Sequence, residues 1–236
     1  MTVSERVRGV LLRPRSTFDV VVGAPSWLGM LALSTVVSAA AWTGLLATET
    51  GRIALVDQWE RTAVAAGRPV DDAGYADLQR WSRYGTAYAA GRALAIGPGL
   101  AAMSGIALWL VSRRFTRTAT PPTFRRCFAV SVHAGVILAV GDLVAAPVAF
   151  ARETTASATT IGFWFPGFDE VSMIARFQEG LDLLMLWWAA LLGIGLAALC
   201  GVSARRAVAG TWSTLVTVTG VTAIALDIIS GVRGSN

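Results

Sequence analysis

The sequence of 236 residues contains few charged side chains, which make up only 15% of it. Soluble domains contain roughly a quarter, so a water-soluble globular protein is not indicated. All 20 basic residues are arginine, and the chain has one histidine and two cysteines. A structural zinc site needs four ligands, so His133, Cys127 and Cys200 cannot form one. We expect no disulfide framework, because the charge pattern described below places both cysteines on the cytoplasmic side.

Motifs that carry common chemistry are also absent from the sequence. It has no glycine-rich nucleotide loop, no zinc-protease helix motif, no nucleophile elbow and no dinucleotide fingerprint. One histidine and scattered carboxylates offer no acid–base constellation in the loops. We therefore expect a protein without catalytic residues, cofactor or bound metal.

What the sequence does contain is apolar residues, which make up 54% of it and are clustered. Five blocks reach or approach the roughly 20 residues that a helix needs to cross about 30 Å of hydrocarbon. We place these spans at Trp27 to Leu46, Tyr88 to Val111, Phe128 to Phe150, Leu181 to Leu199 and Thr214 to Ile229. Alternation with a period of two is absent, which argues against a β-barrel. The predicted fold class is an all-α integral membrane protein with five transmembrane helices.

The distribution of arginine predicts the orientation of these helices. Residues 1–26, 112–127 and 201–213 together carry a charge of +9, whereas the alternate segments together carry −2. Since positively charged segments stay in the cytoplasm, we expect the amino terminus inside and the carboxyl terminus outside. The first apolar block is long and lacks a cleavage site, so we interpret it as a retained span and not as a signal peptide. The position of the arginines at the bilayer edges is then explained by membrane topology and by contact with anionic lipid. We therefore expect no nucleic acid partner.

The two predicted outer loops, 47–87 and 151–180, are long enough to contain helices. The first has two helical stretches separated by Gly67 and Pro69, and Asp71 or Asp72 caps the second stretch. We expect this second stretch to continue into the second span. The chain is thus predicted to have two parts, an interfacial segment 1–26 and a five-helix domain 27–236 that carries these loops.

Residues 1–26 have the pattern of an amphipathic helix on a membrane surface. Four arginines are expected to contact anionic headgroups: Arg6, Arg8, Arg13 and Arg15. The apolar residues between them are expected to sink toward the acyl chains: Val7, Val10, Leu11, Leu12, Phe18 and Val21. Pro14 is expected to break or restart the helix, and Pro25 to turn the chain into the first span.

The stretch LDLLMLWWAALLGIGLAALCGVSARRA, Leu181 to Ala207, resembles the Yip (Ypt-interacting-protein) domain family of five-span membrane proteins. In bacterial members an aspartate opens a late span, a tryptophan follows, a Gly-Leu pair sits mid-span, and a Gly-x-Ser turn with basic residues ends it. The matching residues are Asp182, Trp187, Gly195, Leu196, Gly201, Ser203 and Arg206. Gly9 to Leu12, Arg13-Pro14-Arg15 and Thr17-Phe18 are similar to the family's lead-in, and Val130 to Val144 fits its middle span more loosely. Leu183 departs from the pattern, because many relatives have proline or another helix starter there.

The resemblance implies a multi-pass protein of the bacterial cytoplasmic membrane that acts as a scaffold or accessory subunit. Some bacterial relatives accompany ABC-type exporters of the MacB class, so the implied partners are such an exporter, other membrane proteins, a second copy of the chain, and lipid. A Rab-binding role is not implied, because eukaryotic members use an extra amino-terminal region for it. The alternative is a small transporter or channel for protons, cations or a solute, in which breaks at Gly97-Pro98-Gly99 and Pro147 expose backbone groups.

Two charged residues lie at the outer ends of predicted spans. Arg92 in the second span and Asp182 in the fourth are at similar depth, so we expect an ion pair or a shared polar cluster. The same two spans carry small residues at every fourth position, which let helix backbones approach closely. These ridges are Ala93, Gly97, Ala101 and Gly105, and Ala189, Gly193, Ala197 and Gly201. Either the ridges pack on each other, or each packs on another helix or on a second copy.

Asp142 and Asp227 lie about 20 Å from the cytoplasmic starts of their helices, at one level in the outer half of the bilayer. If they face each other, repulsion and desolvation favour a protonated carboxyl, as a proton or cation site requires. Otherwise each is neutral and hydrogen-bonded, or lies near the outer headgroups. His133 is roughly 13 Å from Asp142 along the helix axis, so those two cannot pair. We interpret His133 as a contact between helices.

Overall fold

The computed structural model describes residues 1–115, 121–157, 159–164 and 173–234, and nearly all of them are helical. The helices in chain order are α1 (Val3–Leu12), α2 (Pro14–Gly23), α3 (Leu28–Leu46), α4 (Glu49–Ala65), α5 (Asp72–Ser82), α6 (Gly85–Phe115), α7 (Phe124–Ala134), α8 (Val136–Arg152), α9 (Ile161–Trp164), α10 (Met173–Gly180), α11 (Leu183–Cys200) and α12 (Ala204–Gly234). The breaks after α1 and α2 fall at Pro14 and near Pro25, as predicted from the restraint that proline places on the backbone.

Within the described part of the chain, five helical segments are long and apolar enough to cross a bilayer. They are Leu28–Leu46, Gly85–Phe115, Phe124–Arg152, Leu183–Cys200 and Ala204–Ala225. The third consists of α7 and α8, which meet at Gly135. This result confirms the predicted class, an all-α membrane protein with five spans. The direction in which the helices cross the membrane stays a prediction.

Two helix boundaries differ clearly from those predicted, and one helix continues through an expected break. The fifth span begins at Ala204, closer to the fourth span than expected, because the chain turns at Gly201. Gly201 has a φ of 68°, a conformation that glycine adopts without strain and that commonly ends a helix. Helices α5 and α6 are separate and not continuous. Helix α6 runs through Pro98 without ending, as membrane helices tolerate.

The loop after the first span forms the predicted pair of helices. Gly67, with a φ of 70°, follows the end of α4. The side chain of Asp71 accepts a hydrogen bond from the backbone N–H of Gly74 at 2.8 Å and so caps α5. The Tyr75 hydroxyl donates to Asp57 Oδ1 at 3.4 Å, which links α5 to α4. The two helices therefore pack as a hairpin.

Two compact units make up the structure, and each has its own core. Unit 1 contains residues 1–38, 92–141 and 184–215, and unit 2 contains the described part of 39–91, 142–183 and 216–236. The main core of unit 1 is formed by Val10, Phe18, Val21, Leu108, Cys127, Ala129, Val130, Ala134, Ile137, Leu191, Leu192, Leu199 and Cys200. The core of unit 2 is formed by Leu45, Leu46, Leu55, Ala89, Ala146 and Ala149.

The amino-terminal helices belong to the core of unit 1, which corrects the prediction that their apolar side sinks into lipid. The side chains of Val10, Phe18 and Val21 are 0% exposed and pack with residues of α7 and α11. Leu12, by contrast, is 69% exposed. An apolar stripe at helical spacing is needed whether the stripe faces lipid or protein, so the pattern alone does not distinguish the two.

Helix α1 begins with a capping box. The Thr2 hydroxyl accepts a hydrogen bond from the backbone N–H of Glu5, whose carboxylate accepts one from the backbone N–H of Thr2 at 2.7 Å. These bonds lower the pKa of the Glu5 carboxyl, because they stabilise its ionised form. The sequence therefore defines a sharp start for the segment that packs into unit 1.

Candidate functional site

A polar cluster in unit 1 joins α1 to α7. His133 is fully buried, and its Nδ1–H donates to the carbonyl oxygen of Ala129 at 2.7 Å. Because a guanidinium can only donate, Nε2 of His133 accepts from Arg6 Nη1 at 3.3 Å. The same Arg6 nitrogen lies 3.0 Å from the Ser26 carbonyl oxygen and 3.1 Å from its Oγ. His133 thus holds the amino-terminal helix against the third span, in line with its interpretation as a contact between helices.

The four amino-terminal arginines do not share one environment. Arg6 is half-buried and turned toward His133 and Ser26, which corrects its assignment to lipid headgroups. Arg8, Arg13 and Arg15 are exposed. Their contact with anionic headgroups stays a prediction.

A second polar contact lies in unit 2, between the first and third spans. The carboxylate of Asp142 in α8 is half-buried, and its Oδ1 accepts a hydrogen bond from the indole N–H of Trp42 in α3 at 2.8 Å. Inside a membrane such a bond compensates part of the cost of removing a carboxylate from water. The side chain of Asp227 lies outside the described residues. A site made of Asp142 and Asp227 stays a prediction.

Asp182 joins the start of α11 to the loop before it, also within unit 2. Its Oδ2 accepts hydrogen bonds from the Ser157 hydroxyl at 2.8 Å and the Thr159 hydroxyl at 2.5 Å. Backbone bonds reinforce the contact, because the Leu183 N–H donates to the Thr159 carbonyl at 3.0 Å and the Ile161 N–H to the Leu181 carbonyl at 2.9 Å. This set of contacts is called the Asp182 clamp below. Pairing of Asp182 with Arg92 stays a prediction.

We expect Asp182→Ala to open the Asp182 clamp. The substitution removes the acceptor of two charge-assisted hydrogen bonds, each of which is typically worth about 1.5–3 kcal/mol. Limited proteolysis in detergent should cleave the loop containing Ser157 several-fold faster than in the wild type. Asp77→Ala changes an exposed carboxylate in α5 and serves as the control. Equal cleavage rates in the two variants would contradict a holding role for Asp182.

The glycines of the second-span ridge lie against the first and third spans. At Gly105 a Cβ atom would lie 3.2 Å from Cα of Phe128 in α7, so the two backbones approach closely there. At Gly97 the nearest side-chain atom is Oγ1 of Thr35 in α3, at 3.9 Å. Ala101 packs with Met30 of the first span. These positions favour the alternative in which the ridge packs on helices other than the fourth span.

The fourth-span ridge meets the fifth span. A Cβ atom on Gly193 would lie 2.6 Å from Cα of Val208 and 2.8 Å from its nitrogen, both in the backbone of α12. One turn away, the Thr211 hydroxyl donates to the Ala189 carbonyl oxygen at 2.8 Å. Close packing lets this bond form between a side chain and the neighbouring helix backbone, as in other membrane helix pairs. Here too the ridge packs on another helix.

The motif residues of the fourth span have distinct structural roles. A Cβ atom on Gly195 would collide with Cγ1 of Val130 and lie 3.6 Å from Cδ1 of Phe18, so α2, α7 and α11 meet at this glycine. Gly201 ends α11 in the left-handed conformation, and Ser203 immediately precedes α12. Trp187 is 44% exposed. Gly195 and Gly201 are therefore explained by packing and chain reversal, whereas the exposed Trp187 is available to lipid or to a partner.

Several residues of these contacts were missed by reasoning from the sequence. Ser157 and Thr159 lie in a polar loop where hydroxyl side chains are common, and nothing in the sequence pattern singles out Trp42 or Ser26. Only the carboxylates gave a signal, because an acid in an apolar block needs a donor nearby. That signal identifies the acceptor but not which donor the fold brings to it.

A family model described as the Yip1 domain matches residues 8–226. No curated protein and no solved structure gives a significant match to the chain. The matched range contains the Asp182 clamp, the contact between Trp42 and Asp142, and the glycines at which helices approach closely. It begins two residues after Arg6.

Proposed function

Because the chain belongs to the Yip1 domain family of membrane proteins, we propose that it is a non-enzymatic scaffold or accessory subunit that binds other integral membrane proteins. The observation that carries this proposal is the uneven burial of the spans. In windows of 18 residues, 39% and 44% of the residues of the third and fourth spans are buried, against 11%, 17% and 11% in the first, second and fifth. The first, second and fifth spans thus leave more of their residues accessible to lipid or partner helices.

The outward side of α6 has the features of a helix-docking surface. Leu94 and Met103 are 66% and 70% exposed. Apolar side chains alone do not attract a partner in lipid, but small residues among them let another helix approach closely. At Gly91 and Gly99 no atom from another described segment of the chain lies within 4 Å of the place of a Cβ atom. A partner helix can therefore reach the α6 backbone at two glycines without displacing any side chain.

The polar groups of the described residues support the same proposal. The His133 cluster, the Asp182 clamp and the contact between Trp42 and Asp142 each join one segment of the chain to another. A protein that presents a fixed helix surface to a partner needs such contacts between its own segments to hold its helices in place. The transport alternative depends on Asp142 together with Asp227 and stays a prediction.

We propose the bacterial cytoplasmic membrane as the location, with an ABC-type exporter or a second copy of the chain as partner. The family resemblance supports the exporter. The arginine pattern supports an inserted protein whose amino terminus faces the cytoplasm. The open glycines of α6 suit either partner, because both would contribute a membrane helix.

Site-specific photo-crosslinking tests the proposal. A benzophenone amino acid at Leu94 or Met103 is expected to crosslink to a discrete protein in intact membranes, whereas the same probe at the 5%-exposed Leu108 is expected to crosslink only within the chain. Mass spectrometry of the product then identifies an exporter subunit or a second copy. Lipid adducts alone at both outward positions would contradict a scaffold that uses α6.

A further inference from the structure

Helices α4 and α5 enclose a cleft of about 360 Å³ within unit 2. The α4 side of the cleft is lined at positions i, i+3, i+4 and i+7 by Glu49, Arg52, Ile53 and Val56, and Tyr75 and Arg83 lie on the other side. This spacing belongs to one face of a helix. Facing sides of a helical hairpin normally close as an apolar seam, but here charged side chains face an open volume. The volume is within the range of small-ligand sites.

The cleft lies beside the ends of two membrane spans. A Cβ atom on Gly85, the first residue of α6, would lie 3.4 Å from Cβ of Leu46, the last residue of α3. Arg52 follows Leu46 by six residues, and Arg83 lies two residues before Gly85, where α6 begins. Both guanidinium groups are therefore close to the level at which apolar spans give way to lipid headgroups.

The charges of the cleft suit an anionic oxygen group. Arg52 Nη1 donates to the carbonyl oxygen of Ala47 at 3.1 Å, which anchors the guanidinium near the end of α3. A guanidinium has five N–H donors, so this bond uses one of them. Among the side chains that line the cleft, two guanidiniums face one carboxylate, Glu49, while the Asp57 carboxylate behind the lining accepts a hydrogen bond from Tyr75. Arginine binds phosphate through paired hydrogen bonds, which makes phosphate the best match.

The wall formed by α5 is held in place from within the hairpin. The Tyr75 hydroxyl donates to Asp57 on α4. Desolvation, followed by the nearby Asp57 carboxylate, raises the pKa of Tyr75, so the hydroxyl stays protonated and remains a donor. The Ser82 hydroxyl donates to the Gln79 carbonyl oxygen at 2.8 Å. The Tyr75 bond thus joins the α5 side of the cleft to α4.

We propose that this cleft binds the headgroup of a phospholipid, with Arg52 and Arg83 donating to phosphate oxygens and Glu49 accepting from a hydroxyl or ammonium group of the same headgroup. The position of the cleft favours a membrane source over a soluble phosphoester. The acyl chains of such a lipid can remain beside α3 and α6 while its phosphate enters the cleft. A soluble ligand would gain nothing from the adjacent span ends.

Native mass spectrometry of the full-length protein in detergent, titrated with phosphatidylglycerol, tests the proposal. The double variant Arg52→Gln/Arg83→Gln is expected to bind the lipid about ten-fold or more weakly than the wild type, because charge-assisted bonds to phosphate are lost. Arg61→Gln/Arg68→Gln removes the same charge from exposed positions outside the cleft and should bind like the wild type. Equal affinities in all three proteins would overturn the proposal.

A second variant tests whether the lipid occupies the cleft without changing any charge. Ile53→Trp retains both arginines but fills the cleft, and it should lose lipid adducts, whereas the exposed Val64→Trp on the same helix should keep them. Retained binding in Ile53→Trp would place the lipid elsewhere and overturn the proposal. A parallel titration uses glycerol phosphate, which has the headgroup chemistry without acyl chains. If glycerol phosphate binds as tightly as the lipid, the inference that the ligand comes from the membrane would be overturned.

Discussion

Replacing Gly193 by alanine is expected to lower the free energy of unfolding by about 1–3 kcal/mol, the usual cost of overpacking a close contact. The added Cβ atom would lie 2.6 Å from Cα of Val208 and 2.8 Å from its nitrogen. Both atoms are backbone, so no side chain can rotate away and α12 itself must move. Movement of α12 also stretches the hydrogen bond from Thr211 to Ala189. Thermal unfolding of the detergent-solubilised protein, monitored by fluorescence and by monodispersity, measures the loss.

The control for this prediction is Gly210→Ala on the same helix, α12. No atom from another described segment of the chain lies within 4 Å of the place of its Cβ atom. Alanine is a better helix former than glycine by about 1 kcal/mol, so this variant should be as stable as the wild type or more stable. A decrease of equal size in both variants would show that glycine at Gly193 is needed for a reason other than the approach of Val208.

Hydropathy was sufficient to predict the number of spans, because the bilayer sets the length of every helix that crosses it. It did not fix where a helix begins. The fifth span starts at Ala204 because Gly201 reverses the chain within a few residues. Local turn chemistry, and not mean hydropathy, decides such a boundary.

The small-residue ridges show what spacing can and cannot predict. Gly105 and Gly193, which lie on the ridges spaced by four, are positions where a Cβ atom would come close to the backbone of a neighbouring helix. The four-residue spacing marks one face of each helix. It does not show which helix packs against that face, because the backbone of any neighbouring helix fits a surface of small residues. The actual neighbours, Phe128 and Val208, carry no matching motif that reasoning from one sequence could recognise.

For each polar contact, the sequence allowed the acceptor residue to be predicted but not the donor. A carboxylate at Asp182 or Asp142 in an apolar block called for a donor, yet the donors come from distant parts of the chain. Thr159 precedes Asp182 by 23 residues, and Trp42 lies 100 residues before Asp142. Such pairs depend on how loops and spans pack in the folded protein. The periodicity of the sequence carries no information about this packing.

Replacing Phe18 by alanine is expected to destabilise the folded protein by about 3–5 kcal/mol, the range for deleting a fully buried aromatic side chain. Phe18 is 0% exposed and packs in the main core of unit 1. Its ring lies near Gly195, where a Cβ atom would be 3.6 Å from Cδ1. Removal of the ring leaves a cavity between α2 and its neighbours α7 and α11, which cannot collapse without shifting a membrane span. Thermal unfolding in detergent should detect the loss.

The same measurement distinguishes a packed amino-terminal segment from one that only rests on lipid. Leu12→Ala removes an apolar side chain that is 69% exposed, so it should leave the unfolding midpoint close to that of the wild type. On a lipid surface both residues would face acyl chains, and both substitutions would weaken vesicle binding with little effect on unfolding. A large loss of stability confined to Phe18→Ala therefore requires the segment to be part of the folded core. Similar small effects of both substitutions on the unfolding midpoint would indicate that the amino-terminal segment lies on the membrane surface and not in the core.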